Sequence, residues 1–315
     1  LSIPYLILFF FNKYRSYQMP KTLTSLLLLV LLCPHQSLHG QVSLAPQVPT
    51  TGTFKIEHSF ELSQLIVLDD IDYKTTQQQT KTTLHKVREP NADGHVTITE
   101  TVEQLKNSTR LPGNIRFAYD STASKAEVPL FDAICEATIT TQLDQSGNIF
   151  DLTIDSTFAI LPEETQKLVF SELDPKTVKK RRQQVLSQYH IAPVRIGESW
   201  DQVISIPLSH NSQFLFKTTH TYSNTTEHPK TKNTLHQVTV NFHEGAFTRD
   251  TETFAEGDPM TIVEATKTYW FDSHHGRIFK SSVNLSLTGD ITFKMKQVKT
   301  TAHLTLDLKR SWEIP

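Results

Sequence analysis

Cysteine is scarce in this sequence: Cys33 and Cys135 are the only two among 315 residues. Cys33 lies in an N-terminal segment that we expect to be removed, which would leave Cys135 with no intrachain disulfide partner. A chain without disulfides depends on the size of its hydrophobic core for stability. Cys135 stands among apolar residues, so we expect a buried thiol, since a nucleophile would need an activating histidine beside it.

Glycine is also rare, with 10 residues scattered among apparent turns. This scarcity excludes a glycine-rich phosphate loop, and the sequence contains no G-x-S-x-G elbow, no His-Glu-x-x-His helix and no cysteine pair. His274-His275 is the nearest approach to a metal motif, but adjacent residues of a strand point to opposite sides, which favours a solvated turn. We therefore predict no catalytic residue, no cofactor and no metal site.

The charge balance argues against a nucleic acid partner. Residues 1–40 hold three basic side chains and no acidic ones, so the remainder has 28 basic against 33 acidic residues and a net charge of −5 with histidine neutral. Proteins that bind nucleic acids through charge carry a basic surface instead. We expect no nucleic acid partner.

The first 40 residues have the features of a secretory signal peptide. Met19-Pro20-Lys21 supplies the charged start and Leu26 to Leu32 the apolar core, which is too short to span a bilayer comfortably. Cleavage after Gly40 would leave Gln41 first. Residues 1–18 precede the only early methionine, so we expect translation to start at Met19 and these residues to be an extension of the gene model. An uncleaved apolar anchor is the alternative.

A lipid-anchored form is the alternative to soluble export. Acylation would use Cys33, but Leu32 stands where lipoproteins carry a small residue. We prefer soluble export and leave membrane association open. The expected location is the periplasm, the cell surface or the extracellular space.

Alternating polar and apolar residues predict long β-strands on both sides of a central segment. The first strand has Phe54, Ile56, His58, Phe60 and Leu62 on one side and polar residues between them. His58 fits a core or rim histidine better than a metal ligand, since no second ligand has a suitable spacing. Residue Glu100 interrupts the apolar side of a later strand.

The central segment, residues 161–190, has helical patterning. Pro162, Glu163 and Glu164 suit a first helical turn, and Asp174-Pro175 can end one helix and start another. The basic run Lys179 to Arg182 is either a patch for an anionic partner or the solvated face of an amphipathic helix. We favour the solvated face, because consecutive residues spread around a helix.

The resulting fold class is mainly β (α+β), with long antiparallel curved sheets or open half-barrels and a central two-helix segment. Short echoes, such as Tyr119-Asp120-Ser121 and Phe271-Asp272-Ser273, suggest two similar halves, although common hairpin turns would also produce them. The expected organisation is an N-terminal extension and signal peptide at 1–40, a first β half at 41–160, a helical connector at 161–190 and a second β half at 191–315.

The combination of a signal peptide, two threonine-rich β halves, Gly197-Glu198-Ser199-Trp200 and the turn from Phe271 to Arg277 resembles a group of uncharacterised exported β-rich proteins and lipoproteins of bacteria, planctomycetes among them. The resemblance covers most of the mature chain. It implies export and a β-rich fold, and it implies no activity.

These observations favour a non-enzymatic exported protein whose curved sheets hold an apolar or lipid-like ligand or a protein partner. Bulky residues on alternating strands, such as Phe54, Phe60, Phe214 and Phe293, motivate this hypothesis. The alternatives are a hydrolase with a dispersed site and a purely structural module of the cell envelope. Convergence of three or more His, Asp or Glu side chains in one cleft would favour the hydrolase.

Overall fold

The computed structural model describes residues 41–49, 51–123, 129–156, 173–186, 189, 192–209, 212–249, 254–295 and 298–315. The expected signal peptide and most of the first expected connector helix lie outside these residues. In the described part of the chain, no helix combines the length and the apolar character needed to cross a membrane.

Strands dominate the described residues. Six precede the connector: β1 Gly52–Leu68, β2 Ile71–Val87, β3 Val96–Arg110, β4 Arg116–Asp120, β5 Thr138–Leu143 and β6 Ile149–Asp155. Six follow it: β7 Ser199–Ser209, β8 Ser212–Glu227, β9 Thr234–Arg249, β10 Asp258–Asp272, β11 Arg277–Met295 and β12 Val298–Glu313. The helices are α1 Pro129–Glu136 and α2 Pro175–Leu186, with short 3-10 turns at Pro112–Asn114 and Phe254–Glu256.

All twelve strands belong to one open antiparallel sheet, so the predicted mainly β, antiparallel class is confirmed. The order is β6-β5-β3-β2-β1-β12-β11-β10-β9-β8-β7, and β4 pairs with β3 off this path. Neighbours in the sheet are mostly neighbours in sequence. The pairing of β1 with β12 is different, because it joins the strands before the connector to those after it.

The alternation predicted for β1 gives the sheet an apolar inner face and a polar outer face. Leu62 lies opposite Leu308 of β12, and Ile66 lies opposite Leu304. The intervening outer positions of β12, such as Asp307 and Lys309, are exposed. A long core cluster follows the inner face; its buried members are Ile204, Phe214, Phe216, Phe247, Met260, Leu285, Leu287, Ile291, Ala302, Leu304, Leu306 and Leu308.

Three short segments cover other parts of the inner face. Helix α1 places Phe131 against Leu105 and Tyr119 of β3 and β4. Helix α2 places Val178 against strands β5 and β6. The extended lead before β1 places Leu44, which is 1% exposed, against β8, β9 and β10.

Two turns show how local sequence sets the strand pairing. Asp69 and Asp70 connect β1 to β2 with φ angles of 50° and 60°, the left-handed pair that a tight hairpin requires and that aspartate tolerates. Gly276, with φ at 57°, ends the turn before β11, and a Cβ there would lie 2.2 Å from the Gln47 side chain. Only glycine fits that position.

A matched pair of valine substitutions tests the assignment of the two faces. Val238 on the inner face is 0% exposed, whereas Val203 of the edge strand β7 is 51% exposed. We expect Val238→Ala to lower the free energy of unfolding by about 2 kcal/mol, because it leaves a cavity. Val203→Ala should change it by less than about 0.5 kcal/mol. Urea unfolding measures both, and equal losses would contradict the assignment.

Candidate functional site

A cleft of about 460 Å³ opens at one end of the sheet. Strand β12 lies between β1 and β11, and its last pairs are Glu313 with Glu57 of β1 and with Lys280 of β11. Beyond Glu313, β1 and β11 continue, and no strand of the described residues lies between them. The cleft lies in this gap, and its lining consists of Thr53, Phe54, Lys55, Leu84, His228, Lys230, Thr231, Asp272, His275, Arg277, Phe279, Ile314 and Pro315.

Apolar side chains form one wall of the cleft. Phe279 and Ile314 are both 7% exposed, and the Ile314 N–H donates to the Phe279 carbonyl at 3.0 Å. Phe54 packs against the same cluster, as do Trp270 and Trp312. Two of the three tryptophans of the chain therefore lie beside the apolar wall of the cleft.

Arg277 supplies a cation over the aromatic wall. Its guanidinium carbon lies 4.3 Å from the centre of the Phe54 ring, within the range of a cation–π contact. His85 also stacks on Phe54, since the two ring centres are 4.9 Å apart and the rings are nearly parallel. Burial lowers the pKa of Arg277, although an arginine keeps its charge at neutral pH.

Asp272 and His275 form a paired acid and base at the turn between β10 and β11. His275 Nδ1 lies 2.6 Å from Asp272 Oδ2, while Asp272 Oδ1 accepts the backbone N–H groups of His274 and His275. Burial would raise the pKa of Asp272, but these hydrogen bonds outweigh it and hold the pKa below its usual range. The structure thus makes His275 part of a hydrogen-bonded turn, where the sequence indicated only a solvated one.

His228 has a structural task in the hairpin between β8 and β9. Its Nδ1 accepts the backbone N–H groups of Lys230 and Thr231, each at 3.1 Å. Its ring also packs edge-on against Phe279, with 4.4 Å between the ring centres. The His228 side chain therefore connects the hairpin turn to the apolar wall of the cleft.

His228, Asp272 and His275 do converge on one cleft, which is the sign that would favour a hydrolase. Their hydrogen bonds, however, limit the chemistry that these three side chains can perform. His228 Nδ1 is occupied by the hairpin, and His275 Nε2 has no serine, threonine or cysteine within hydrogen-bond distance among the described residues. The described residues also contain no group of three or more His, Cys, Asp or Glu able to hold a metal ion.

A hydrogen bond between Ser273 and His236 lies nearby, but its donor and acceptor are the reverse of those in a catalytic serine–histidine pair. Ser273 Oγ lies 3.0 Å from His236 Nε2, and the Tyr222 hydroxyl lies 2.6 Å from His236 Nδ1. The buried Tyr222 hydroxyl has no other acceptor among the described residues, so it donates to Nδ1. His236 Nε2 then carries the proton and donates to Ser273, which leaves no base for a serine nucleophile.

A buried row of polar and charged side chains connects the stacked rings to helix α2. His85 Nδ1 lies 3.7 Å from Glu100 Oε2, and the same oxygen accepts a 2.7 Å hydrogen bond from Arg182. Arg182 also donates to Thr141 Oγ1 at 2.7 Å. Burial would raise the pKa of Glu100, but Arg182 and the neighbouring cations outweigh it and lower the pKa to about 2.

The expectation that Arg182 lies on a solvated helix face is therefore wrong for this residue. It points to the sheet and neutralises Glu100, which explains why a carboxylate interrupts the apolar side of β3. Lys179 also contacts the sheet, since its Nζ donates to the Phe150 carbonyl at 2.9 Å. The side chains of Lys180 and Arg181 lie outside the described part of the chain.

Two other sequence predictions concern single residues, His58 and Cys135. His58 is half-buried on the inner face, as expected, opposite Lys81 of β2 and Trp312 of β12. Burial and the nearby Lys81 and Arg310 lower its pKa to about 3.

Cys135 is partly buried in α1, where its sulfur accepts a hydrogen bond from the Tyr119 hydroxyl at 3.6 Å, and burial raises the pKa of its thiol. An inert thiol fits both observations.

A second cleft of similar size, about 460 Å³, lies near β1, β2 and β12. Its lining is largely polar and includes Glu61, Ser63, Thr76, Gln78 and Lys309. It lacks the aromatic wall of the first cleft, which makes the first cleft the better candidate site.

No protein-family model matches this sequence, and no curated protein is significantly similar to it. The predicted relationship to planctomycete proteins therefore stays a prediction.

Several solved structures are similar to this chain. Lipovitellin, in a structure describing its lipid–protein interactions, has a TM-score of 0.42 and 9% identity over 85% of this chain and 25% of its own. DynF of the dynemicin biosynthesis pathway of Micromonospora chersina has a TM-score of 0.17 and 7% identity over 94% and 92%. A DUF1329 family protein of Desulfovibrio piger has a TM-score of 0.09 and 8% identity over 81% and 84%. The chain thus spans about a quarter of the lipovitellin chain.

Removing Arg182, the cation that pairs with the buried Glu100, should destabilise the protein. Arg182→Met leaves Glu100 without its closest partner, and we expect the free energy of unfolding to fall by about 2 to 3 kcal/mol. Lys106→Met breaks an exposed ion pair with Asp120 and should have a much smaller effect, because solvent screens that pair. Urea unfolding compares them. Equal effects would contradict a buried role for Arg182, and the double variant Glu100→Gln/Arg182→Met should lose less than the sum of the single changes.

His58 predicts a loss of stability in acid. The unfolded chain protonates this histidine at a pKa of about 6.5, whereas the folded chain does so only at about 3. Between these values the unfolded state binds more protons, so His58 should reduce stability by up to about 1.4 kcal/mol per pH unit as the pH falls below 6. His58→Gln should flatten this slope in unfolding curves at pH 7, 6 and 5. An unchanged slope would sink the idea; the exposed His243→Gln is the control.

Proposed function

We propose that this is a non-enzymatic, exported binding protein that holds a lipid-like ligand in the cleft between β1 and β11. The cleft volume of about 460 Å³ lies within the range of small-molecule sites, about 300 to 1,000 Å³. Its walls combine an apolar surface with a few polar groups, which is the composition of such sites. This combination is the observation that carries the proposal.

The packing of the sheet argues for the cleft over the wide inner face as the binding place. Leu285, Leu287 and Ile291 on the inner face are all 0% exposed. Side chains of the protein itself fill that space, so a ligand would have to displace close-packed core residues. A ligand at the end of the sheet needs no such displacement. The sequence-based hypothesis of a ligand in the curved sheet is thereby narrowed to one end of it.

The side-chain geometry supports a binding role over a hydrolytic one. With the Tyr222 hydroxyl donating to His236 Nδ1, His236 Nε2 donates to Ser273 and offers no base for nucleophilic attack. The Asp272 and His275 pair is the feature that keeps a hydrolase as the second candidate, because a carboxylate orients the imidazole as in catalytic sites. Hydrolysis there would require His275 to activate a water molecule. Turnover of an acyl ester that disappears in His275→Gln would favour this candidate.

A protein partner is the remaining alternative. Strand β1 is paired with β2 from Gly52 onward, but its pairs with β12 begin only at Glu57. An extended peptide could add to this segment of β1, which has no neighbour on the β12 side among the described residues, as in β-augmentation. The apolar wall favours a lipid-like ligand instead. Export rests on the sequence of residues 1–40, whose pattern is typical of a signal peptide.

The proposal predicts that the apolar wall determines affinity. A ten-carbon amphiphile should bind the purified protein and change the tryptophan fluorescence, since Trp270 and Trp312 pack beside the wall. We expect Phe54→Ala to weaken binding about tenfold, equivalent to roughly 1.4 kcal/mol, because it removes apolar contact area. Phe150→Ala is the matched control, a strand phenylalanine that is 59% exposed.

Both variants are compared with the unaltered protein by fluorescence titration, after circular dichroism has confirmed that they are folded. Equal affinities for Phe54→Ala and Phe150→Ala would place the ligand elsewhere. Absence of binding by the unaltered protein would leave a purely structural module as the better explanation.

A further inference from the structure

We infer that the ligand of the cleft between β1 and β11 is a single-chain amphiphile with a carboxylate head, and that Arg277 is the residue that binds this head. The inference rests on the proposed function, to which it adds the chemical class of the ligand. Three observations support it. Arg277 has free hydrogen-bond donors, the neighbouring Asp272 carboxylate is hydrogen-bonded to other groups, and the apolar wall lies in the same cleft as Arg277.

Arg277 is a half-buried cation with free donors. The guanidinium lies over the Phe54 ring, with 4.3 Å between its carbon and the ring centre. Among the described residues, no side chain or carbonyl accepts a hydrogen bond from the guanidinium and none forms an ion pair with it. A guanidinium has five N–H donors in a planar fork, so donors of Arg277 are available to a ligand.

The nearest carboxylate is already committed to other donors. Asp272 Oδ2 is taken by His275 at 2.6 Å, and Oδ1 accepts two backbone N–H groups. Asp272 therefore acts on Arg277 through its charge without a direct contact. Its hydrogen bonds define the turn that presents Arg277 to the cleft.

The charge of the cleft favours an anion. Its lining includes the basic side chains Lys55, Lys230 and Arg277 and one acidic side chain, Asp272. Lys55 forms an ion pair with Glu103 at 2.7 Å, and Lys230 is exposed. Arg277 is thus the basic residue that combines partial burial with free donors, and burial strengthens a charge-assisted hydrogen bond.

The positions of Arg277 and of the apolar wall determine which ligand shape fits the cleft. Arg277 and Phe279 are two residues apart on β11, and both line the same cleft as Ile314. A carboxylate bound by the edge of the guanidinium would leave its alkyl chain against Phe279 and Ile314. A planar carboxylate matches the guanidinium fork with two parallel hydrogen bonds. Fatty-acid-type molecules meet both requirements.

The test compares two ligands with the same chain and different heads. Decanoate and 1-decanol are titrated into the full-length mature protein at pH 7.5, below their aggregation concentrations, with tryptophan fluorescence as the signal. Acetate tests whether the head alone is sufficient. The proteins are the unaltered chain, Arg277→Gln, Arg277→Lys and the control Arg116→Gln, which changes an exposed arginine of β4.

We expect the unaltered protein to bind decanoate about tenfold more tightly than decanol, the usual effect of a charge-assisted hydrogen bond. Arg277→Gln should lose this preference and keep its affinity for decanol within about twofold, since the apolar wall is intact. Arg277→Lys should retain part of the preference, because it keeps the charge but loses the planar fork. Arg116→Gln should behave like the unaltered protein.

Equal binding of decanoate and decanol by the unaltered protein would overturn the carboxylate inference and leave the proposed function standing. A preference that survives in Arg277→Gln would also overturn it, because another group would then bind the head. Failure of both ten-carbon ligands to bind would instead refute the proposed function. Acetate binding as tight as that of decanoate would show an anion site without a role for the apolar chain, which also contradicts the amphiphile.

Discussion

The pairing of β1 with β12 is the constraint on which the rest of the structure depends. It joins the strands on the two sides of the connector into one sheet, and its register places apolar residues opposite each other, as in Leu62 with Leu308. A slip by one residue would turn Asp307 and Lys309 toward the core and leave the leucines in water. The cost of that exchange determines the register along the whole length of both strands.

The same pairing creates the cleft. Because β12 ends at Glu313 while β1 extends back to Gly52, the two strands flanking β12 continue past it. The gap is bordered by an aromatic residue of β1 and by Arg277 of β11. From there, contacts run through Phe54, His85 and Glu100 to Arg182 of helix α2. The cleft and the helix that covers β5 and β6 therefore share one continuous polar and aromatic row.

Local sequence patterns predicted the strands and their faces, because a period of two directly reflects which side chains face the core. The alternation from Phe54 to Leu62 is an example. The partner of Glu100 could not be predicted in this way, since Arg182 is 82 residues away in the sequence. The cleft could not be predicted from the sequence either. It depends on the difference in length between β1 and β12 at one end, and no single segment contains that information. The pair of His275 with Asp272 had a local signal, a spacing of three residues across a glycine-containing turn, that could have indicated it.

A filled interior and a site at the strand ends have a common physical origin. With no disulfide partner for Cys135 among the described residues, stability depends on close packing of apolar side chains along the inner face. Packing at 0% exposure leaves no space for a ligand among Phe216, Leu285 and Ile291. Binding groups then have to lie where packing ends, on turns and strand termini that the rigid sheet holds in position. Arg277 fits this division: it follows a turn that only Gly276 permits, and its partner ring, Phe54, stands on the part of β1 that extends past the end of β12.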